Sequence, residues 1–257
     1  MAARPDDTDG PATAAAGDQP DRATQGDTAE TGFRFVTAYT LDTTPSDADG
    51  RVFSPSTGRN AEVVAEALAG VVTGLKGPLV EIGSGTGEHA AAAIGRLPGI
   101  TWQPTDQETL HFPSIEAWAR HASSGRIATP ITLDASITAS QPWHRLASIA
   151  ALGPLAAVFA ANVIHIAPWP VAEGIIAGAG RALAPGGRLI LYGPFREGGA
   201  HTGEGNARFD LALRQRDPSH GVRDLEEVAA LAATAGMGPP EIIRMPANNL
   251  TVAFTRL

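Results

Sequence analysis

The segment Val80-Glu81-Ile82-Gly83-Ser84-Gly85-Thr86-Gly87-Glu88-His89 carries the spacing that constrains a ligand most tightly. An apolar run enters a glycine-rich turn, and a helical pattern leaves it. Glycine lets the backbone turn sharply and lets a ligand approach it closely. The helix start that follows offers free N–H groups. A dinucleotide fingerprint requires G-x-G-x-x-G. Counted from Gly83, the sixth position is Glu88, whose charge would repel a pyrophosphate. G-x-G-x-G behind an acid suits a ligand with an ammonium and a sulfonium and no phosphate, and S-adenosylmethionine (SAM) is such a ligand. Glu81 is expected to help hold its amino group, while Gly83, Ser84, Gly85 and Gly87 shape the turn. His89, in the first turn beyond, either lines the methionine end or packs.

Two more carboxylates end apolar runs in the order such a site needs. Asp106 follows Trp102-Gln103-Pro104-Thr105, where an acid accepts hydrogen bonds from both ribose hydroxyls. Asp134 follows Ile131-Thr132-Leu133, where an acid accepts from the adenine amino group. The competing reading makes both residues helix N-caps. Arg59 and Asn60, ahead of the first helix, are expected to close over the cofactor or to act as a cap and a surface ion pair.

Methyl transfer displaces a sulfonium, so the protein has to align an acceptor, exclude water and take up a proton. His165, in Asn162-Val163-Ile164-His165, is the first choice as base, and a structural hydrogen bonder below Trp169 is the equal alternative. Asn162 sits at the strand end that faces the cofactor. His201 is the second base candidate, and Asp210 accompanies it. Trp169, Tyr192 and Phe195 wall a substrate pocket or belong to the core. Asn206 and Arg214 are expected on the substrate side, although Asp210 and Arg214, four apart, also suit a simple helix pair. Asn248-Asn249 reads as a hairpin turn. Seven His with no spaced His/carboxylate cluster give no metal site.

These residues need elements to hold them. Val63, Val64, Ala67, Leu68, Val71, Val72 and Leu75 recur at helical spacing, and Gly74 and Gly77-Pro78 are expected to end that helix. Apolar runs follow at 79–82, 100–103, 131–133, 155–160 and 188–193, with helical patterns at 88–96, 114–121 and 169–183 between them. That alternation implies a doubly wound parallel sheet. A helix over 224–235 precedes two runs, 241–245 and 250–255, whose short link makes them an antiparallel hairpin. The whole is the α/β, Rossmann-like class I methyltransferase layout. Residues 196–223 are long for a strand-to-helix connection and read as a functional cover.

The chain has 257 residues and a net charge of −8, of which residues 1–30 hold −5. That segment is rich in Ala, Gly, Pro, Asp and Thr, and it reads as a disordered acidic tail. Residues 31–257 read as a single domain with an irregular N-terminal arm at 33–59. Without a basic stripe, nucleic acid is a poor partner. No apolar run reaches membrane length and no leader pattern opens the chain, so a cytoplasmic location is expected. Cysteine is absent, and Arg outnumbers Lys 18 to 1, a bias of GC-rich bacterial genomes. The expected partner is a small-molecule substrate, with the chain a monomer or homodimer.

Several blocks resemble the family catalogued as domain of unknown function 938, that of methyltransferase-like protein 26. They are Ser54-Pro55 with Arg59-Asn60, Gly83–His89, Trp102–Asp106, Asn162–Trp169, Leu191–Phe195, Phe209-Asp210 through Pro218, Gly221–Asp224 and Met245–Leu250. The resemblance implies the class I fold and SAM as cofactor, and it supplies no acceptor. Departures are Glu62-Val63-Val64 where Pro-Ile-Leu is usual, Gly205 ahead of Asn206, and His220 in place of an aromatic. The expected function is methyl transfer from SAM to an O or N atom of a small molecule, with S-adenosylhomocysteine (SAH) as product. The alternative is a SAM-binding protein of this fold that does not methylate. A nicotinamide oxidoreductase is weaker, because of Glu88.

Overall fold

Strands that carry apolar residues on both faces have to be covered on both faces. The structure, a computed structural model, describes residues 47–257, and the acidic tail and the arm before residue 47 lie outside them. Helix α1 (Ala61–Val71) leads into β1 (Gly77–Ile82), α2 (Glu88–Ile94), β2 (Ile100–Asp106), α3 (Phe112–Ala122) and β3 (Ile131–Thr132). A short α4 (Ala147–Ala150) precedes β4 (Leu155–Ala161), α5 (Trp169–Ala182) and the long β5 (Leu183–Glu197). Then come β6 (Ala200–His201), α6 (Glu204–Arg216), β7 (Arg223–Asp224), α7 (Leu225–Thr234), β8 (Glu241–Arg244) and β9 (Asn249–Thr255).

The main sheet runs β3-β2-β1-β4-β5-β9-β8. Pairing is parallel from β3 to β5, and β9 enters antiparallel between β5 and β8. The class I methyltransferase layout expected from the sequence is therefore the observed one. Alternation along the strands splits the core in two. Val80, Ile82, Val158, Ala160, Leu189 and Leu191 face α5 and α7, while Leu79, Ala157, Phe159, Ile190 and Tyr192 face α1 and α2.

Three boundaries differ from the sequence reading. Helix α1 stops at Val71, and Gly77-Pro78 begins β1 instead of merely ending the helix. Proline is tolerated there because β4 pairs with β1 only from Leu79 onward. Strand β5 runs to Glu197, past the expected end at Gly193. Its extension is paired: β6 folds back on Arg196 and Glu197, and β7 lies parallel to Phe195 and Arg196. The 196–223 segment is thus a folded subunit of the sheet's carboxyl edge, with α6 longer than the short helix anticipated.

Candidate cofactor and active site

Gly83, Gly85 and Gly87 have φ of 71°, 53° and 95°, left-handed values that side chains disfavour. Their surroundings differ. A Cβ at Gly83 would lie 2.7 Å from Val163 Cγ2, and one at Gly87 would lie 2.8 Å from the Ile115 backbone. A Cβ at Gly85 would meet nothing within 4 Å. Two glycines are therefore fixed by packing, and the middle one borders open space.

The loop is braced from β2. Ser84 N–H donates to Thr105 O at 2.9 Å, and Thr105 N–H donates to Ser84 Oγ at 3.1 Å. The Ser84 hydroxyl thus braces the turn from β2. Asp106 Oδ2 accepts from Gly85 N–H (3.0 Å) and Oδ1 from Glu108 N–H (3.2 Å). Helix α3 begins only at Phe112, so Asp106 is not its N-cap. Burial pushes the Asp106 carboxyl up, against the backbone N–H groups that favour its charge. Asp134 Oδ1 accepts from Ser136 N–H at 2.8 Å, an Asx turn with no helix behind it. The N-cap reading is set aside for both residues.

Glu81 is 1% exposed, and Oε2 accepts the Trp102 indole N–H at 2.9 Å. Its Oε1 is buried and accepts no hydrogen bond within 3.5 Å among the described residues, while the nearby Ser84 hydroxyl favours charge on the carboxyl. Burial, with the Asp106 charge added, lifts its pKa to about 7. A buried half-ionised carboxyl with an open oxygen is a group held ready for a cation.

The α1 side of the edge is a chain of neutral hydrogen bonds. His89 Nε2 lies 2.9 Å from Asn60 Oδ1, and the Asn60 side chain stands beside the Tyr192 phenol, where it favours the ionised oxygen. Asn249 Nδ2 donates to the same phenol oxygen at 2.9 Å. Burial takes the His89 pKa down to about 4 and pushes the Tyr192 phenol up, so both are neutral at pH 7. Tyr192 is 2% exposed. Arg59 is exposed and makes no ion pair among the described residues.

The described part of the arm straps this corner down. Ser54 N–H donates to Glu88 Oε2 at 2.6 Å, as does Thr86 Oγ1 at 2.7 Å. Val52 N–H donates to Ser114 Oγ, and the Trp118 indole donates to Val52 O. Arg51 lies over the Trp118 ring at 4.7 Å while it pairs with Asp47 and Asp49. Glu88, read from sequence as a charge facing the ligand, is instead 7% exposed and turned toward the arm.

At the ends of β4 and β5, Asn162 adopts a left-handed φ of 62°, and its N–H donates to Tyr192 O at 2.7 Å. His165 is wholly buried, stacks edge-on against Phe195 at 5.1 Å, and has its pKa lowered to about 3 by burial and the Arg223 charge. Arg223 N–H approaches Nδ1 at 3.4 Å, and Nε2 is buried with no hydrogen-bond partner among the described residues. A base must be reached by its acceptor, and His165 is wholly enclosed and neutral; its expected catalytic role is corrected to that of a packed imidazole. Gly193 permits the arrangement, since a Cβ there would lie 2.7 Å from His165 Nε2 and 2.9 Å from Asn162 Oδ1.

Phe195, fully buried, belongs to the core and walls no open pocket. Trp169 is half-buried under the Arg223 guanidinium, 5.5 Å away. Arg223 itself ties down Ile164 O, Ala167 O and Ser219 O. Asp210 gathers the insertion: it accepts from Val222 N–H (2.6 Å) and Arg214 Nε (3.1 Å), with His201 Nε2 at 3.4 Å. Burial raises its pKa, but the Arg214 bond, the Val222 N–H and the neighbouring charges outweigh it and hold the carboxyl below its usual value. His201 Nδ1 has no partner among the described residues. Asn206 donates to Asn248 O and Thr202 Oγ1, fastening α6 to the hairpin turn.

Sequence reasoning missed the Glu88 clasp, Trp102 as partner of Glu81, and Asn249 as partner of Tyr192. The periodicity of β9 carries a signal for Asn249, which points to the same face as Thr251 and Ala253. Nothing local announces the other two, which join residues 21 and 34 apart.

Comparison with known proteins agrees with the fold. The family model described as "Protein of unknown function (DUF938)" matches residues 51–256. Among solved structures, an O-methyltransferase family protein from Burkholderia thailandensis is similar over 78% of this chain and 57% of its own, with a TM-score of 0.62 and 16% identity. Human N-acetylserotonin methyltransferase, solved in complex with SAM, matches 78% of this chain and 52% of its own at TM-score 0.59 and 15% identity. An O-methyltransferase family 2 protein from Planctomyces limnophilus, in complex with apigenin, matches 77% and 62% at TM-score 0.58 and 18% identity. The chain thus spans between half and two thirds of the length of these structures.

Proposed function

Because the chain belongs to the DUF938 family and carries the class I methyltransferase fold, we propose that it is a SAM-dependent methyltransferase acting on an O or N atom of a small molecule. One observation carries the reading. At a single sheet edge stand an open space beside Gly85, an unpartnered oxygen on a buried Glu81, and the carboxylates of Asp106 and Asp134. Together these fit a cationic amino acid joined to a ribose and an adenine. Glu81 takes the ammonium, Asp106 the ribose hydroxyls and Asp134 the adenine amino group. When bound, SAM supplies an activated methyl group.

The chain's own residues supply position and proton uptake. Asn60, Tyr192 and Asn249 present neutral hydrogen-bonding groups on one side of the edge. His201, with Nε2 3.4 Å from Asp210, is partly exposed as a side chain, and its Nδ1, covered and unpartnered among the described residues, takes the proton of a hydroxyl or amine acceptor once the acceptor is seated against it. General-base catalysis contributes about 10²–10⁴-fold. The test is incubation with methyl-labelled SAM and a panel of phenols, alcohols and amines. Label should pass to an acceptor, and His201→Asn should lower turnover by about 10²-fold or more with little change in KM. Label that stays on SAM with every acceptor, in a protein that binds SAM, supports the second reading: a SAM-binding protein of this fold that does not methylate. The burial of His165 is what favours that alternative.

A further inference from the structure

Away from the carboxyl edge, the loop 136–145 leans on α5. Gly174 and Gly178 sit one turn apart on that helix, and a Cβ at either would strike that segment: Ile137 N for one, the Trp143 indole for the other. The indole N–H instead donates to Gly174 O at 2.8 Å. This close approach leaves a cavity of about 280 Å³ beside the contact. Its walls are largely apolar, from Ile137, Pro142, Trp143 and Ala177, and Ile137 is 50% exposed at the rim.

The charges around this cavity are those of two arginines, with a histidine beside them. Arg145, Arg181 and His144 line it, and no Asp or Glu does. Arg51, Arg96, Arg214 and Arg244 each hold a carboxylate. The guanidinium groups of Arg145 and Arg181 make no hydrogen bond or ion pair among the described residues. His144 Nδ1 is buried and equally without a partner. Burial, then the charges of Arg181 and Arg145, disfavour a proton on His144, and no carboxylate offsets them. In a chain with net charge −8, two guanidinium groups with no carboxylate partner thus flank one apolar floor.

We propose that this cavity is a second ligand site, for a compact organic anion whose carboxylate or phosphate meets Arg145 and Arg181 while its apolar body rests on Pro142, Trp143 and Ala177. Ser136 lines the cavity, and its backbone N–H holds Asp134 in place, so the site adjoins the turn that presents Asp134. The site stands whether or not the chain methylates.

Phenyl phosphate is the probe, titrated into the full chain by calorimetry, with benzyl alcohol as the uncharged control. Saturable one-site binding is expected. It should be absent for benzyl alcohol and at least about tenfold weaker in the double variant R145Q/R181Q, a loss of about 1.4 kcal/mol. Both arginines are exposed and unpaired, so the variant should melt like the parent. Its SAH affinity, measured alongside, should be unchanged, which separates this site from the cofactor site. No saturable binding of phenyl phosphate, or equal affinity in parent and variant, overturns the proposal.

Discussion

At Gly85 and Gly87 the same residue type serves two different ends, and substitution should separate them. Gly85→Arg places a side chain where no protein atom lies within 4 Å. It should fold, with about 1–2 kcal/mol lost to the left-handed backbone, and it should no longer bind SAH. Gly87→Ala pushes a Cβ to 2.8 Å from Ile115 Cα in addition to its own φ of 95°. It should lose several times as much stability, on the order of the overpacking cost plus backbone strain. Circular-dichroism melts and SAH titrations of both variants check this; a Gly85→Arg protein that binds normally moves the cofactor elsewhere. At this scale the sequence was legible for where the glycines turn the chain and where the two acids follow their strands, because both depend on local spacing. It was misleading for His165 and Glu88. Whether a polar side chain points to a ligand or to its own protein depends on residues distant in the chain, here Arg223 and Ser54.

Among the elements, the arm and the 196–223 insertion matter most. The arm reaches the glycine loop chiefly through Glu88, whose carboxylate satisfies Ser54 N–H and Thr86 Oγ1. Glu88→Ala strands both donors in a buried setting, which costs about 1.5–3 kcal/mol. Urea unfolding should show that loss with an unchanged m-value, together with faster cleavage by protease around residues 52–56. An unaltered midpoint would mean that the arm is not held through Glu88. The order of strands and helices was readable from the sequence because hydrophobic period encodes it. The insertion was read as a cover, but its two short strands were not seen. Two-residue pairings such as β6 and β7 carry no period, and they form because β5 extends far enough to offer them an edge.

For the whole molecule, buried titratable groups set the dependence of stability on pH. His89 and His165 have folded pKa values of about 4 and about 3 against an ordinary 6.5. The unfolded chain therefore binds more protons below pH 6.5, and stability falls as pH drops from 6.5 toward 4. Glu81 acts oppositely. Its folded pKa of about 7 lies above the ordinary 4.5, so its contribution is full below pH 4.5 and is lost as pH rises through 7. At about 1.4 kcal/mol per unit, the two histidines outweigh the one glutamate. Net stability should thus decline on acidification below pH 6.5, and His165→Asn should flatten that decline. Thermal melts between pH 4 and 8 measure it; an unchanged slope in His165→Asn would mean that His165 is not buried neutral. Among the described residues no helix is long and apolar enough to cross a membrane.

The central claim is the cofactor, and calorimetric titration of the full chain with SAH, with NAD as control, tests it most directly. One-site binding of SAH and none of NAD is the predicted result. In Glu81→Gln and Asp106→Ala the affinity should fall by about tenfold or more, the loss of a charge-assisted hydrogen bond. NAD binding with no response to SAH would contradict the account and return Gly83–Gly87 to the dinucleotide reading.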